Sequence, residues 1–437
     1  MIATGVVLAV AVLAGAAPAA SADVGSVHSV HNGHCAGVDR LRVPGAERQV
    51  TGCLDELTTA GTTASGHTNP DDWAGLTQVG LPQPVGVPGI QVDGYFPDTS
   101  LTNTNNGWRH DAQFVLRLPD EWNGGLVVSG TPGNRRQYAN DRAIADAVLA
   151  KGYAFAATDK GNTGATFHHD GRRPGDAVAE WNARVTQLTV AAKVVVAQRY
   201  GRLPERTLAT GISNGGYLVR WQLERFPWLY DGGVDWEGTL WRADGDNLFT
   251  FLPTALRDYP TYAAGGPDAA AAHQRMLDAG FAPGSEFLWD YHHRVYWDLT
   301  QRLYREEVDP TFDGDLDAGI PYCASGTPSC DADYDYPARP SAVHDAVGRI
   351  ALTGRIGKPL ITLHGTLDTL LPISRSGDVY ASMVRAAGRG DLHRYHRIEG
   401  GNHTDGLVDQ FPDQLVPMAP SFYAAFDELE TWLVPGG

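Results

Sequence analysis

Ser213 stands in Gly211-Ile212-Ser213-Asn214-Gly215-Gly216, directly after the apolar run Thr207-Leu208-Ala209-Thr210. A strand that turns on small residues two before and two after a serine bends so tightly that the hydroxyl stands clear of the sheet. Such a serine becomes a nucleophile when a base reaches Oγ and an acid holds that base in the right tautomer. Two later stretches offer these groups. His364-Gly365-Thr366-Leu367-Asp368 follows the apolar run Leu360–Leu363, and Glu399-Gly400-Gly401-Asn402-His403 follows a strand-like stretch ending at Ile398. Loops at the carboxyl ends of successive strands in a doubly wound sheet meet at one edge. Ser213 is therefore the expected nucleophile, His403 the base and Asp368 the acid, with Glu237 or Asp235 after the preceding strand as rival acids. His364, His393 and His396 are poorer candidates for the base, because His364 is placed to bond under its own loop and the other two alternate along a strand.

Acyl transfer also needs two amides aimed at the developing oxyanion. By position the first is the Asn214 N–H. The second is expected from Gly130-Thr131-Pro132-Gly133-Asn134, where Pro132 has no N–H and leaves Thr131 or Gly133. Read without chemistry, Ser213 and Asp368 are helix caps and the Gly-x-Pro-Gly stretch a plain turn. The ordered spacing of all three catalytic candidates favours the chemical reading.

Positioning these groups requires strands and helices in alternation. Strand patterns occupy Ile90–Phe96, Ala112–Leu118, Leu126–Ser129, Tyr153–Asp159, Gly232–Glu237, Pro359–Gly365 and 392–398. Helical spacing runs over 177–200, Gly216 to Phe226, 374–387 and Ser421 to Leu433. Buried apolar strands alternating with helices predict an α/β chain whose mostly parallel, doubly wound sheet is covered on both faces. The pattern breaks over 239–345, which is rich in aromatics (Phe287, Trp289, Tyr291, Tyr296, Trp297, Tyr304) and is expected to be a cap inserted above the carboxyl edge. The expected division is a signal peptide at 1–22, a loop-rich N-terminal extension at 23–89, core at 90–238, cap at 239–345 and core again at 346–437.

The stretch from Ile90 to Leu433, apart from the insert, resembles the α/β-hydrolase superfamily, on Gly-Ile-Ser-Asn-Gly-Gly, His-Gly-Thr-Leu-Asp-Thr-Leu-Leu-Pro and Gly-Gly-Asn-His. Glu121-Trp122-Asn123-Gly124-Gly125, the Gly-x-Pro-Gly loop and Gly152-Tyr153-Ala154-Phe155-Ala156-Ala157-Thr158-Asp159 are similar to secreted tannase and feruloyl esterase-like proteins. The Ser-Asn-Gly-Gly elbow is more like that of 3-hydroxybutyrate oligomer hydrolases. Tannase elbows carry a cysteine before the serine, where this chain has Ile212. The resemblance implies a serine esterase with an α/β-hydrolase fold, and no particular acyl group.

Bulk properties set outer bounds. The 437 residues are 43% hydrophobic and 19% charged, enough to bury a core. A net charge of −17 disfavours nucleic acid and anionic membrane as partners. Val6–Ala14 followed by Ala20-Ser21-Ala22 has the form of an export signal, and the expected location is extracellular with no membrane anchor. Four cysteines in an exported chain predict disulfides, and nearest-neighbour pairing gives Cys35–Cys53 and Cys323–Cys330. Carboxylates alternate in Asp313-Gly314-Asp315-Leu316-Asp317 and at Asp331, Asp333 and Asp335, but EF-hand spacing is not met. They read as a solvated loop, and no metal or cofactor is expected. The expected function is hydrolysis of a small or oligomeric ester through an acyl-enzyme. The alternatives are an exported aminopeptidase or amidase using the same groups, which would need an insert carboxylate (Glu286, Asp290, Glu306 or Glu307) for the substrate amine, and a non-catalytic binding protein.

Overall fold

Strand residues of this chain alternate between two apolar faces, and each face is buried against its own set of helices. The computed structural model describes Cys35, residues 37–312 and residues 331–434. The signal-peptide stretch and the Cys323–Cys330 pair lie outside the described residues.

Among the described residues, nine strands form one sheet in the order β1-β2-β3-β5-β4-β6-β7-β8-β9. They are β1 (Arg48–Leu54), β2 (Gly89–Tyr95), β3 (Gln113–Pro119), β4 (Gly125–Gly130), β5 (Ala154–Thr158), β6 (Arg206–Ile212), β7 (Gly232–Trp236), β8 (Leu360–Gly365) and β9 (His393–Ile398). The pairs β1–β2, β2–β3 and β3–β5 are antiparallel, and every pairing from β5 through β4 to β9 is parallel. The helices are α1 (Thr59–Thr62), α2 (Asp146–Ala150), α3 (Asp176–Tyr200), α4 (Asn214–Arg225), α5 (Leu252–Ala264), α6 (Ala269–Asp278), α7 (Glu286–His292), α8 (Asp298–Val308), α9 (Ser341–Ile350), α10 (Gly377–Ala386) and α11 (Ala419–Trp432). Along β3 and β4, Phe114, Leu116, Leu126 and Val128 share a core with Trp181 and Leu188 of α3 and Leu218 of α4. Their alternates Val115 and Val127 share the opposite core with Val148 of α2 and Phe422 and Phe426 of α11. The sheet is thus covered on both faces, as the unbroken apolar strands require.

One difference from the sequence reading is β1. The segment expected to be loop supplies the outermost strand, paired along its length with β2 from Arg48↔Tyr95 to Leu54↔Gly89. Cys53 lies on this strand and is disulfide-bonded to Cys35, with Cα atoms 5.9 Å apart. Between β7 and β8 the described residues form helices α5 through α9 and no strand. Trp289 and Trp297 there are completely buried, pack with Phe281 and join the core that covers one face of the sheet.

A buried ion pair ties the central elements together. Arg220 of α4 donates through Nε to Asp235 of β7 and through Nη1 to the Gly238 carbonyl at 2.8 Å. Asp235 also accepts from the Gly238 N–H at 2.8 Å and from the Thr362 hydroxyl of β8 at 3.0 Å. Both side chains are wholly inaccessible. Removing one partner of such a pair strands a buried charge, which costs more than removing both. Arg220→Met is expected to lower unfolding free energy by about 3–5 kcal/mol in urea titrations, and Arg220→Met/Asp235→Leu by less. Equal losses in the two variants would contradict this account of the pair.

Candidate active site

The site grows from the carboxyl ends of four adjacent parallel strands. Ser213 follows β6, Glu237 follows β7, Asp368 lies in the loop after β8, and His403 lies in the loop after β9.

Ser213 is a non-glycine residue at φ 60°, ψ −120°, half-buried, and the first turn of α4 starts at the next residue. Such a backbone costs of order 1–3 kcal/mol and persists only where the surroundings impose it. Here the Ser213 N–H donates to the Trp236 carbonyl at 2.9 Å, and its own carbonyl accepts from Tyr217 N–H at 3.0 Å and Thr239 N–H at 3.2 Å. The glycines around it leave no room for a side chain. A Cβ on Gly211 would stand 2.4 Å from Gly215 backbone, and one on Gly215 would stand 2.0 Å from the Gly130 carbonyl oxygen. The carboxyl end of β4 therefore lies against the elbow.

His403 and Asp368 meet. His403 Nδ1 donates to Asp368 Oδ2 at 2.8 Å, and both side chains are almost wholly buried. Asp368 Oδ1 accepts from the N–H groups of Leu370 and Leu371, each at 2.8 Å, so the carboxylate is fixed at both oxygens. With Nδ1 committed to a carboxylate, Nε2 is the nitrogen left to take a proton. Burial alone would raise the Asp368 carboxyl, but His403 beside it and bonds from His364 and His403 hold it well below the usual carboxylate range. Burial likewise disfavours the His403 cation, yet Asp368 and Glu237 outweigh it and push the imidazole up to about 10.

Of the two rival acids, Asp235 is occupied by Arg220 beneath the elbow. Glu237 reaches the histidine as well: Oε2 lies 3.2 Å from His403 Nδ1. Sequence reasoning set Glu237 and Asp368 as alternatives, whereas the structure puts both on one nitrogen. His364 packs under the loop, with Nε2 2.8 Å from the Leu371 carbonyl and 3.4 Å from Asp368 Oδ2. His393 bonds Thr362 and His396 bonds Glu428, so neither is placed with the loop carboxylates.

Around the expected oxyanion donors, Asn214 and Thr131 are buried, and Gly133 sits in the turn at φ 49°. The Asn214 side chain is held at both ends, donating to the Tyr304 hydroxyl of α8 and accepting from Thr239 at 2.8 Å. Thr131 has a partner the sequence did not signal. Lys160, completely buried, donates Nζ to the Thr131 hydroxyl and to the Arg135 carbonyl at 3.1 Å, and stands 5.1 Å above the Trp181 ring. Burial pushes its ammonium down to about 7. In a Thr158-Asp159-Lys160-Gly161 stretch a lysine reads as exposed, and only the tertiary packing reveals it. The insert also grips the acid loop: Trp297 Nε1 donates to the Thr369 carbonyl at 2.7 Å, and His292 Nδ1 lies 2.8 Å from the Thr369 hydroxyl. A separate acidic group, Asp98, Asp170 and Glu180, is bridged by Arg184, 2.6 Å from Asp98 and 2.7 Å from Glu180.

Sheet order, elbow and loop placement give the chain the α/β-hydrolase fold. The family described as Tannase and feruloyl esterase matches residues 99–236, from the approach to β3 through the elbow to the end of β7. The feruloyl esterase B structure from Aspergillus oryzae superposes with a TM-score of 0.54 at 12% identity, covering 91% of this chain and 89% of that one. A second Aspergillus oryzae esterase gives 0.53 at 12% identity over 85% of this chain and 82% of that one. The mono(2-hydroxyethyl) terephthalate hydrolase of Piscinibacter sakaiensis is 30% identical over 143 residues, which is 30% of this chain and 24% of that protein. The matched stretch thus spans about a quarter of that relative's length.

Gly215→Ala tests the elbow. Its Cβ meets backbone on a neighbouring strand end, which cannot swing away as a flexible side chain would. The variant is expected to lose soluble folded protein, or to fold with esterase activity reduced at least about 100-fold by misplaced groups. Full activity at an unchanged melting temperature would show that the loop and the elbow do not touch.

Proposed function

We propose that the chain hydrolyses carboxylic esters through an acyl-enzyme formed on Ser213. The observation that carries this reading is the strained serine elbow, set on the same sheet edge as a histidine held by a buried carboxylate. The similarities to feruloyl esterases and to a terephthalate half-ester hydrolase support the same reaction class.

In this mechanism Ser213 Oγ attacks the ester carbonyl carbon while His403 Nε2 takes its proton. Asp368 fixes the imidazole through Nδ1 and stabilises the cation that forms. The Asn214 N–H, with Thr131 or Gly133, receives the oxyanion, each donor supplying about 3 kcal/mol to the transition state. The tetrahedral intermediate collapses, and the alcohol leaves with the proton from His403. Water then attacks the acyl-enzyme by the same route in reverse, giving the acid and free serine.

Ester substrates fit better than amine-bearing amides. Glu286 accepts from His273 at 2.8 Å, Asp290 pairs with Arg294, Glu306 pairs with Arg305 at 2.8 Å, and Glu307 accepts from the Val178 N–H at 3.2 Å. These four carboxylates are thus committed to the protein itself. Export is part of the same proposal: Cys35 and Cys53 are paired, and no helix among the described residues is long and apolar enough to cross a membrane.

Ser213→Ala is expected to lower kcat on short p-nitrophenyl esters by at least about 10⁴-fold with an unchanged melting temperature. A fluorophosphonate should label the wild-type protein at Ser213. Retained turnover in the alanine variant overturns the acyl-enzyme. Faster cleavage of aminoacyl amides than of esters would instead select the amidase reading.

A further inference from the structure

Glu237 is the one carboxylate at the site that the mechanism above leaves unused. It stands at φ 52° directly after β7 and is completely buried. Oε1 accepts from the Gly365 N–H at 2.6 Å. Oε2 lies at ion-pair distance from His403 Nδ1, 3.2 Å, and makes no hydrogen bond among the described residues. The Nδ1 hydrogen therefore bonds Asp368 at 2.8 Å, while the Glu237 carboxylate faces the same nitrogen at ion-pair distance.

A purely structural role does not account for a charge there. The backbone bond to Gly365 needs only a carbonyl-type oxygen, which a glutamine would also supply. Burying an ionisable carboxyl costs several kcal/mol unless a charge or hydrogen bond compensates it, and here the compensating partner is the imidazole.

The groups facing this imidazole come from every neighbouring element. Glu237 is from the end of β7, His364 and Asp368 are from β8 and its loop, and His292 is from α7 of the insert. Burial makes His292 a poor proton acceptor and lowers it to about 4, so it stays neutral across the working range. Asp368 stays ionised. The remaining proton is shared between Glu237, which burial and the Asp368 charge push up to about 7, and His403. When it sits on His403 the imidazole is a cation and is no base.

We propose that Glu237 is a positioning residue that faces His403 at the same nitrogen as Asp368 and, by its negative charge, sets the pH at which that imidazole is free to accept the serine proton. This rests on the triad reading above. A second negative charge favours the histidine cation, so the base form is reached only at higher pH. Removing that charge moves the transition toward acid.

The test is the pH profile of kcat/KM on a p-nitrophenyl ester, whose ascending limb reports deprotonation of the free enzyme's base. Glu237→Gln is expected to shift that limb toward acid by about one pH unit or more, with an unchanged melting temperature. Asp368→Asn provides an arm that does not depend on the Glu237 variant folding. With Glu237 still on Nδ1, its loss should be about 100-fold, not the roughly 10⁴-fold seen when a lone triad acid is neutralised. Asp368→Asn/Glu237→Gln should then fall to the Ser213→Ala level. A limb that stays in place in folded Glu237→Gln, or an Asp368→Asn rate already at the Ser213→Ala level, overturns the proposal. Fluorophosphonate labelling separates its failure from that of the triad. A labelled wild type whose limb does not move removes Glu237 alone, and a wild type unlabelled at Ser213 removes both.

Discussion

The backbone of Ser213 is held where a serine would not rest by choice, and the rest of the site is arranged around that constraint. Three backbone hydrogen bonds, to Trp236, Tyr217 and Thr239, pin it from both neighbouring elements. The glycines at 211 and 215 let β4 and its loop close in until main chain touches main chain. Below, Arg220 and Asp235 lock α4 to β7 and β8. Relaxing the elbow would therefore mean breaking a ladder, a helix start and a buried ion pair together, which is how a local strain of a few kcal/mol is sustained.

Charge is managed with comparable economy in a protein of net −17. At the histidine, two carboxylates face one imidazole and are themselves restrained by backbone N–H groups of Leu370, Leu371 and Gly365. At the expected oxyanion loop the local charge is the opposite, with the Lys160 ammonium against Thr131.

Much of this was legible in the sequence because it is encoded locally. An apolar strand followed by Gly-x-Ser-x-Gly, Gly-Thr-Leu-Asp or Gly-Gly-Asn-His declares both the element and the residue at its tip. The Asp368–His403 contact follows from strand order alone. What stayed hidden depends on partners far along the chain. Arg48–Leu54 carries little alternation of its own and becomes a strand only because β2 offers it an edge. The helix after β4 begins as a π turn over Asp141–Ala145, which blurs the 3.6-residue signal. Glu237 could be placed after a strand, but that its oxygen would reach the same nitrogen as Asp368 depends on the stagger of β7 against β8, which no local pattern reports.

Tyr304 of α8 holds the Asn214 side chain, while Trp297 and His292 hold Thr369 beside Asp368. The insert is thus stitched to the residue after Ser213 and to the residue after Asp368 at once, so it is a brace. Under the proposed function, substrate preference can drift through exchange of other insert residues only while these stitches survive. Swapping the whole segment for that of a relative would loosen both loops before it changed what they meet.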